Sequence, residues 1–261
     1  MDKWALVTGA AGGIGLEFAR LLCADGYNLI MIDLDEGNLA TRKAELQQKY
    51  GSKVETLSFD LSEKTAAARV YDWVQKMGLK LNVLVNNAGF GMFGMFASTS
   101  WEREEKMINL HVYTPTQLVK LFLPGMIDRK NGRILNVSSL AAFHPGPLMC
   151  MYYSTKAYLL SFTTSVATEL KGTGVSMTVL CPGITKTGFQ KAVGSSDPKI
   201  SVNMASAEKV ASLGYRAMTR GRVLAVPGFM NNFILFVRRF VPLTSQAQMV
   251  MRIQEKNRQK Q

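Results

Sequence analysis

The stretch from Arg133 to Lys156 carries side chains whose types and spacing suit proton chemistry at an oxygen atom. A short apolar strand is predicted first, and it ends at the pair Ser138 and Ser139. A loop containing proline and glycine follows, and then a predicted helix presents Tyr152 and Lys156 four residues apart, on one face. A hydroxyl, a phenol and an ammonium group near the end of a strand indicate proton transfer to or from a substrate oxygen.

Apolar runs that alternate with helical stretches predict the elements that position these side chains. Strands are predicted for residues 4–8, 28–33, 54–60, 81–86, 134–137, 175–180 and 222–226, with helices between them, one of them long (100–130). This alternation predicts an α/β fold: a single doubly wound parallel sheet of about seven strands flanked by helices. Ligands bind beyond the carboxyl ends of such strands, and residues with distinctive chemistry stand there: Gly9, Asp33, Asp60, Asn86, Ser139 and Pro182.

A glycine-rich turn, TGAAGGIG at residues 8–15, follows the first predicted strand and opens a helix. Glycines let the backbone approach a phosphate closely, and the helix N-terminus offers N–H groups and a positive dipole end to a pyrophosphate. Asp33 stands 20 residues beyond Gly13, at the end of the second strand. Its carboxylate can accept hydrogen bonds from ribose hydroxyls and would repel a 2′-phosphate. We therefore predict NAD as the cofactor, with NADP the less favoured choice.

Seven motifs in one order and spacing resemble those of the short-chain dehydrogenase/reductase family. They are TGxxxGIG, DL, NNAG, a downstream Asn, SS, YxxxK and PGxxxT, and the resemblance covers residues 4 to about 228. It implies hydride transfer between NAD(H) and a secondary alcohol or ketone, with a tyrosine as general acid and base. It also implies a homodimer or homotetramer.

The resemblance also implies roles for individual residues. The catalytic residues it implies are Asn109, Ser139, Tyr152 and Lys156, with Asn109 carrying a water that links the site to solvent. The implied cofactor contacts, besides Tyr152 and Lys156, are Gly9, Gly13, Ile14, Gly15, Asp33, Asp60, Leu61, Asn87, Ala88, Gly89, Pro182, Gly183, Ile184, Thr185 and Thr187.

The chemistry of a tyrosine base requires a shifted pKa. A free tyrosine has a pKa near 10, too high for a base at neutral pH. The ammonium of Lys156 and a cationic nicotinamide are predicted to lower the pKa of Tyr152. Tyr152, not its neighbour Tyr153, lies four residues before Lys156. We predict a structural role for Ser138, and a position at a helix surface or subunit interface for His111.

Three segments rich in Phe and Met are predicted to wall the substrate: Phe90–Phe96, Phe143–Met151 and Ile184–Val193. Methionine is flexible and suits irregular apolar surfaces, so a bulky apolar alcohol or ketone is expected, such as a hydroxysteroid, a bile acid or an acyl chain. One alternative is an NADP-dependent 3-oxoacyl reductase, and another is a non-catalytic nucleotide-binding or membrane-associated protein. The predicted substrate contacts are Phe90, Met92, Phe143, His144 and Met149.

Positive charge is concentrated at the C-terminal end. The net charge is +12, and residues 216–261 hold nine Lys or Arg and one acid, which is +8. We divide the chain into a catalytic domain, 1–228, and an extension, 229–261, for which a lid, an oligomer contact and a membrane-surface helix remain open. Residues 229–243 are too interrupted by polar side chains for a membrane-spanning helix. No nucleic-acid motif accompanies the charge, so we expect no nucleic-acid partner.

Cysteine and histidine usage points to a reducing compartment. Three separated cysteines form no C-x-x-C pattern and only two histidines are present, so we expect neither disulfides nor a metal site. The chain enters an apolar strand at once, so no signal peptide is expected and a cytoplasmic location is predicted.

Overall fold

The computed structural model describes residues 2–189 and 204–258. Its centre is a seven-stranded sheet in which every neighbouring pair of strands is parallel. This confirms the predicted doubly wound α/β sheet of seven strands. The strands are β1 (Trp4–Thr8), β2 (Asn28–Asp33), β3 (Val54–Ser58), β4 (Leu81–Asn86), β5 (Gly132–Val137), β6 (Val175–Leu180) and β7 (Leu224–Ala225). Their order across the sheet is β3-β2-β1-β4-β5-β6-β7.

Helices cover both faces of the sheet. The described helices are α1 (Gly13–Ala24), α2 (Glu36–Tyr50), α3 (Ala66–Lys76), α4 (Trp101–Ile108), α5 (Thr114–Asp128), α6 (Cys150–Glu169), α7 (Ala207–Thr219), α8 (Phe229–Val237) and α9 (Leu243–Arg258). The single helix predicted for residues 100–130 is α4 and α5, joined by a π-helical turn at Asn109–Tyr113.

The central strands are mostly apolar because both of their faces are covered. In β1, Ala5 and Val7 pack in the core layer that contains α1, α2 and α7. Trp4 and Leu6 point to the opposite layer, which contains α3, α5 and α6. Continuous apolar runs are typical of parallel strands with helices on both sides, which is why the sequence pattern identified these strands.

Several short elements lie near the carboxyl edge of the sheet. A 3₁₀ turn at Leu140–Phe143 follows β5, and a two-residue bridge pairs Thr185–Lys186 with Ala205–Ser206. Another 3₁₀ turn, Arg238–Phe240, joins α8 to the region of α9. Among the described residues, no helix has the length and apolarity needed to cross a membrane.

Candidate active site

The glycine turn after β1 has a backbone that only glycine accommodates. Gly9 and Gly13 have φ values of +65° and +53°, in the left-handed region. A Cβ on Gly15 would overlap the carbonyl oxygen of Gly9, so the first turn of α1 can pack directly on the loop only without a side chain there.

The N-terminus of α1 has backbone donors available for an anion. Its N-cap residue is Gly12, which places no side-chain cap on the helix, and the first turn holds no acid. Helix N-terminal N–H groups have no intrahelical acceptor, and here Gly13, Ile14 and Gly15 supply them. These residues therefore fit the pyrophosphate of a dinucleotide.

Asp33 is held rigidly at the end of β2. Its Oδ2 accepts a hydrogen bond from Ala11 N–H at 2.9 Å, and its Oδ1 accepts one from Leu34 N–H at 2.8 Å. The carboxylate thus ties β2 to the glycine turn while it stays half-buried at the rim of the site. At the end of β3, Asp60 Oδ1 accepts from the backbone and hydroxyl of Ser62, at 2.8 and 2.7 Å.

Two residues with implied cofactor contacts have side chains committed elsewhere. Leu61 is buried in the core, and its carbonyl oxygen accepts a hydrogen bond from Thr114 Oγ1 at 2.7 Å. The Asn87 side-chain amide donates to Thr8 O at 3.0 Å and Gly9 O at 3.1 Å. Thr8 Oγ1 in turn accepts from the N–H groups of Asn87 and Ala88. The NNAG segment therefore braces the glycine turn from β4.

The segment after β6 faces the glycine turn. A Cβ on Gly13 would lie 3.3 Å from the Thr187 methyl group, so Thr187 stands across the cleft from α1. Thr185 is buried and its hydroxyl donates to Gly183 O at 3.0 Å, whereas Ile184 is exposed. The Pro182 carbonyl accepts from Leu140 N–H at 2.9 Å and so joins the ends of β5 and β6.

The structure brings Ser139, Tyr152 and Lys156 together at the end of β5. The Ser139 hydroxyl lies close enough to the Tyr152 phenol to act on its pKa, and Ser139 Oγ accepts a hydrogen bond from Ala141 N–H at 3.1 Å. Ser138 Oγ donates to Lys156 O at 2.7 Å, which agrees with its predicted structural role. Of the two serines, Ser139 is therefore the one beside the Tyr152 phenol.

Burial sets the protonation of the catalytic pair. It raises the pKa of Tyr152 to about 12, against a smaller lowering from the Ser139 hydrogen bond. It lowers the pKa of Lys156 to about 8. The predicted lowering of the Tyr152 pKa depended on the nicotinamide charge as well as on Lys156, so it stays a prediction for the cofactor-bound site. Lys156 Nζ donates to Val137 O at 2.9 Å and lies 5.7 Å from the centre of the Tyr152 ring.

His111 lies in the interior, so its predicted surface position is wrong. It is 1% exposed, and its Nε2 accepts a hydrogen bond from Phe90 N–H at 3.1 Å. Nδ1 must then carry the proton, and it donates to Thr155 Oγ1 at 3.0 Å. Thr155 Oγ1 donates to Tyr152 O at 2.9 Å. Burial, and secondarily the Lys156 charge, lower the pKa of His111 well below its ordinary value, so the imidazole is neutral.

The π-helical turn explains both Asn109 and His111. A π turn holds one more residue than an α-helical turn, so it rotates the residues that follow away from the face predicted from a regular helix. Asn109 begins this turn half-buried, and its carbonyl accepts from Thr114 N–H. The imidazole of His111 packs edge-on against the Tyr152 ring, 5.9 Å between centres. No regular spacing signals such a turn.

Two of the predicted substrate walls are joined by a backbone hydrogen bond, and the third contacts Tyr152. Gly94 N–H donates to Leu148 O at 2.8 Å, which joins Phe90–Phe96 to Phe143–Met151. The ring of Phe189 lies 5.5 Å from that of Tyr152, a contact that the sequence did not single out. Residues 190–193 of the third predicted wall lie outside the described residues.

The C-terminal extension contacts the second wall. Arg238 donates to Phe143 O, and its guanidinium lies over the Phe143 ring. Gln246 Oε1 is 3.1 Å from His144 Nδ1, and Gln254 Nε2 is 3.7 Å from Met149 Sδ. These contacts bring the extension against the second predicted substrate wall.

A glycine turn at a helix N-terminus, an acid after β2 and a Ser-Tyr-Lys set at the same sheet edge define a dinucleotide-dependent oxidoreductase. A family model described as short chain dehydrogenase matches residues 3–198. The chain belongs to the short-chain dehydrogenase family, whose members use NAD(P) and act on CH–OH donors.

Curated relatives are named as oxoacyl reductases. The chain is 34% identical over 194 residues to the very-long-chain 3-oxoacyl-CoA reductase of Phaeosphaeria nodorum, covering 72% of this chain and 56% of the relative. It is 30% identical over 200 residues to the ketoacyl reductase HetN of Nostoc, covering 76% of this chain and 69% of the relative. The chain thus spans little more than half the length of the fungal relative.

Solved structures share the fold and carry both cofactor types. A short-chain dehydrogenase of Burkholderia phymatum in complex with NAD superposes with a TM-score of 0.81 at 25% identity, covering 91% of this chain and 93% of that one. One of Sphingobium yanoikuyae in complex with NADPH gives a TM-score of 0.82 at 24% identity, covering 92% and 94%.

Proposed function

We propose that the protein is a 3-oxoacyl reductase that converts the 3-oxo group of a long-chain acyl thioester to a 3-hydroxyl group. The observation that carries the proposal is the Ser139–Tyr152 hydroxyl pair beneath walls of Phe and Met, in a chain similar to proteins named as oxoacyl reductases. These similarities favour the acyl substrate over the hydroxysteroid that the apolar walls also suggested.

The chain's residues supply orientation and the proton. A reduced nicotinamide, when bound, supplies the hydride for the carbonyl carbon of the substrate. In this proposal, Ser139 Oγ donates a hydrogen bond to the carbonyl oxygen. Tyr152 gives that oxygen its proton, and a pKa raised to about 12 keeps the phenol protonated at neutral pH before reduction. The products are the oxidised nicotinamide and the 3-hydroxyacyl thioester.

For the cofactor we propose NAD(H). The support is the fixed carboxylate of Asp33 at the ribose position, with the apolar, exposed Leu34 beside it instead of a cation. A 2′-phosphate there would meet a negative charge with no adjacent partner at position 34.

The test is a substrate panel followed by nicotinamide absorbance, using 3-oxoacyl-CoA esters from short to very long chains and 3-oxosteroids. We expect kcat/KM to rise with acyl length and to exceed that for every steroid. Tyr152→Phe should lower kcat by about 10²–10⁴-fold. Tyr153→Phe is the matched control, because it removes a neighbouring hydroxyl that contacts Gln254. Preference for a steroid, or equal losses in the two variants, would contradict the proposal.

A further inference from the structure

The C-terminal extension exposes an apolar surface that the rest of the described chain leaves uncovered. We call it the apolar ridge: α8, the following 3₁₀ turn and Leu243. No residue of α8 is buried. Phe229 is 86% exposed and Phe240 74%. The large exposed side chains of the ridge are Phe229, Met230, Phe233, Ile234, Phe236, Val237, Phe240 and Leu243.

An exposed apolar patch of this kind marks a surface that binds another protein, a membrane or an apolar ligand. The helix α8 has 9 residues, seven of them Phe, Met, Ile, Leu or Val. At 1.5 Å per residue, α8 extends about 14 Å, roughly half of a bilayer's hydrocarbon thickness. The ridge is therefore suited to lie parallel to the membrane surface, at the membrane–water interface. Its apolar side chains would enter the acyl region, and the helical hydrogen bonds of its backbone would stay intact.

Beside the ridge lies a basic cleft with a volume of about 390 Å³. Arg216, Arg220 and Arg222 line it, together with an apolar floor and Asn232 of α8. None of the three arginines forms an ion pair with an acid among the described residues. Guanidinium groups bind phosphate through paired N–H donors, so the cleft has the chemistry of a phosphate headgroup site.

Asn232 connects the two features. It lies on α8 and lines the cleft, and its side-chain amide donates to Gly228 O at 2.7 Å. The apolar ridge and the basic cleft are therefore adjacent parts of one surface. Arg239 adds a further exposed cation in the 3₁₀ turn after α8.

We infer that the apolar ridge and the basic cleft together dock the protein onto the surface of an anionic phospholipid bilayer. The ridge side chains enter the acyl boundary, and the arginines face the phosphate headgroups. Charge complementarity selects this occupant over a second copy of the chain. A two-fold contact through this surface would bring identical arginine clusters together, and like charges at close range repel.

Docking in this orientation deepens the proposed function without depending on it. Arg238, in the turn of the ridge, donates to Phe143 O in the second substrate wall. The ridge thus lies next to the site, and docking would bring the walls close to the layer in which long acyl chains dissolve. Vesicle binding is measured without turnover, so failure of one proposal is distinguishable from failure of the other.

The test is flotation of the full chain with vesicles of phosphatidylcholine alone and of phosphatidylcholine mixed with phosphatidylglycerol. We expect about tenfold or greater enrichment on the anionic vesicles, reduced by high salt because screening weakens the arginine contacts. Phe233→Ser with Phe240→Ser should lower binding about tenfold or more. Arg220→Ala with Arg222→Ala should remove the preference for anionic vesicles.

The matched control is Lys76→Ala with Met77→Ser, which removes an exposed cation and a half-exposed apolar side chain at the end of α3. This variant should bind as the parent does. Equal binding to neutral and anionic vesicles by the parent protein would overturn the inference. A second result would also overturn it: the parent protein binds no vesicles and sediments as a dimer, while the variant with Phe233→Ser and Phe240→Ser sediments as a monomer. Circular dichroism checks that each variant is folded.

Discussion

Burial controls the protonation of the catalytic pair more than the distance between Tyr152 and Lys156 does. Removing a charged group from water disfavours its charged form, so the pKa of the phenol rises and that of the ammonium falls. The protein alone thus holds the tyrosine as a proton donor, the form that reduction of a carbonyl requires. The base form needed for the reverse reaction requires an added positive charge beside Tyr152.

Asp33 separates charge from hydrogen bonding in a way that one substitution can test. Asp33→Asn keeps an oxygen to accept from Ala11 N–H but removes the negative charge. We expect the ratio of kcat/KM for NADPH over NADH to rise about tenfold, since repulsion of the 2′-phosphate is lost. Steady-state kinetics with both cofactors measures it. Tighter use of NADPH by the parent protein would contradict our choice of cofactor.

His111 packs edge-on against the Tyr152 ring. Because its imidazole is neutral in the fold, the free energy of unfolding should depend on pH. Since the pKa of the buried imidazole is below 6.5, the unfolded chain binds more protons at acidic pH. The free energy of unfolding should therefore fall as pH drops below 6.5, by up to about 1.4 kcal/mol per pH unit. Urea unfolding at several pH values measures this slope.

His111→Phe keeps a ring against Tyr152 but leaves the Phe90 N–H without its acceptor. We expect a loss of about 1–3 kcal/mol at pH 7 and a shallower slope below pH 6.5. The residual slope belongs to His144, whose pKa burial also lowers. A lower kcat with unchanged cofactor KM would show that the imidazole positions Tyr152. An unchanged acid slope would contradict this account.

At the scale of elements, the glycine turn and α1 depend on close backbone packing. Gly15→Ala places a methyl group onto the Gly9 carbonyl oxygen, and we expect it to cost about 3 kcal/mol or more. Gly12→Ala is the control, because its Cβ would meet nothing within 4 Å and its φ of −163° is ordinary extended backbone. Thermal unfolding without cofactor compares them. Equal melting temperatures would show that the turn relaxes easily.

The contact between α9 and the second substrate wall depends largely on one buried amide. Gln246 Nε2 donates to Arg238 O at 3.1 Å and Val241 O at 2.8 Å, while its Oε1 faces His144. Gln246→Ala should cost about 1–3 kcal/mol and raise the KM for the acyl substrate. The KM for the cofactor should stay unchanged. Gln248→Ala, at an exposed position of the same helix, should leave both constants unaltered.

At the scale of the whole molecule, the predicted cofactor site is formed by residues between Gly9 and Thr187 in the sequence. The parallel sheet brings them together because its strands all end at the same edge. A dinucleotide held by the turn after β1 and by the segments after β4, β5 and β6 would therefore link both halves of the sheet. We expect NADH at about 100 times its Kd to stabilise the fold by about 2.7 kcal/mol, a rise of about 5–10 °C in Tm. Tyr152→Phe should retain this rise although it loses activity. Calorimetry measures both, and the absence of any rise would contradict the cofactor site.

Local patterns in the sequence sufficed to predict the strands, their parallel arrangement and the candidate catalytic and binding residues at the strand ends. They sufficed because strands covered on both faces are largely apolar and because a tight phosphate turn requires glycine. The spacing of Ser139, Tyr152 and Lys156 was equally readable, since one strand end and one helical turn position all three.

Only the tertiary structure decided what depends on contacts between distant segments. It placed His111 inside, because a π-helical turn shifts the helix face by one residue and leaves no regular spacing to detect. It raised the pKa of Tyr152 in the protein alone, because burial is a property of the assembled fold and because the Lys156 ammonium donates its hydrogen bond to Val137 O. It also brought the C-terminal extension against Phe143 and His144, about 100 residues earlier in the chain, because the apolar ridge and the loop after β5 meet only once the sheet has formed.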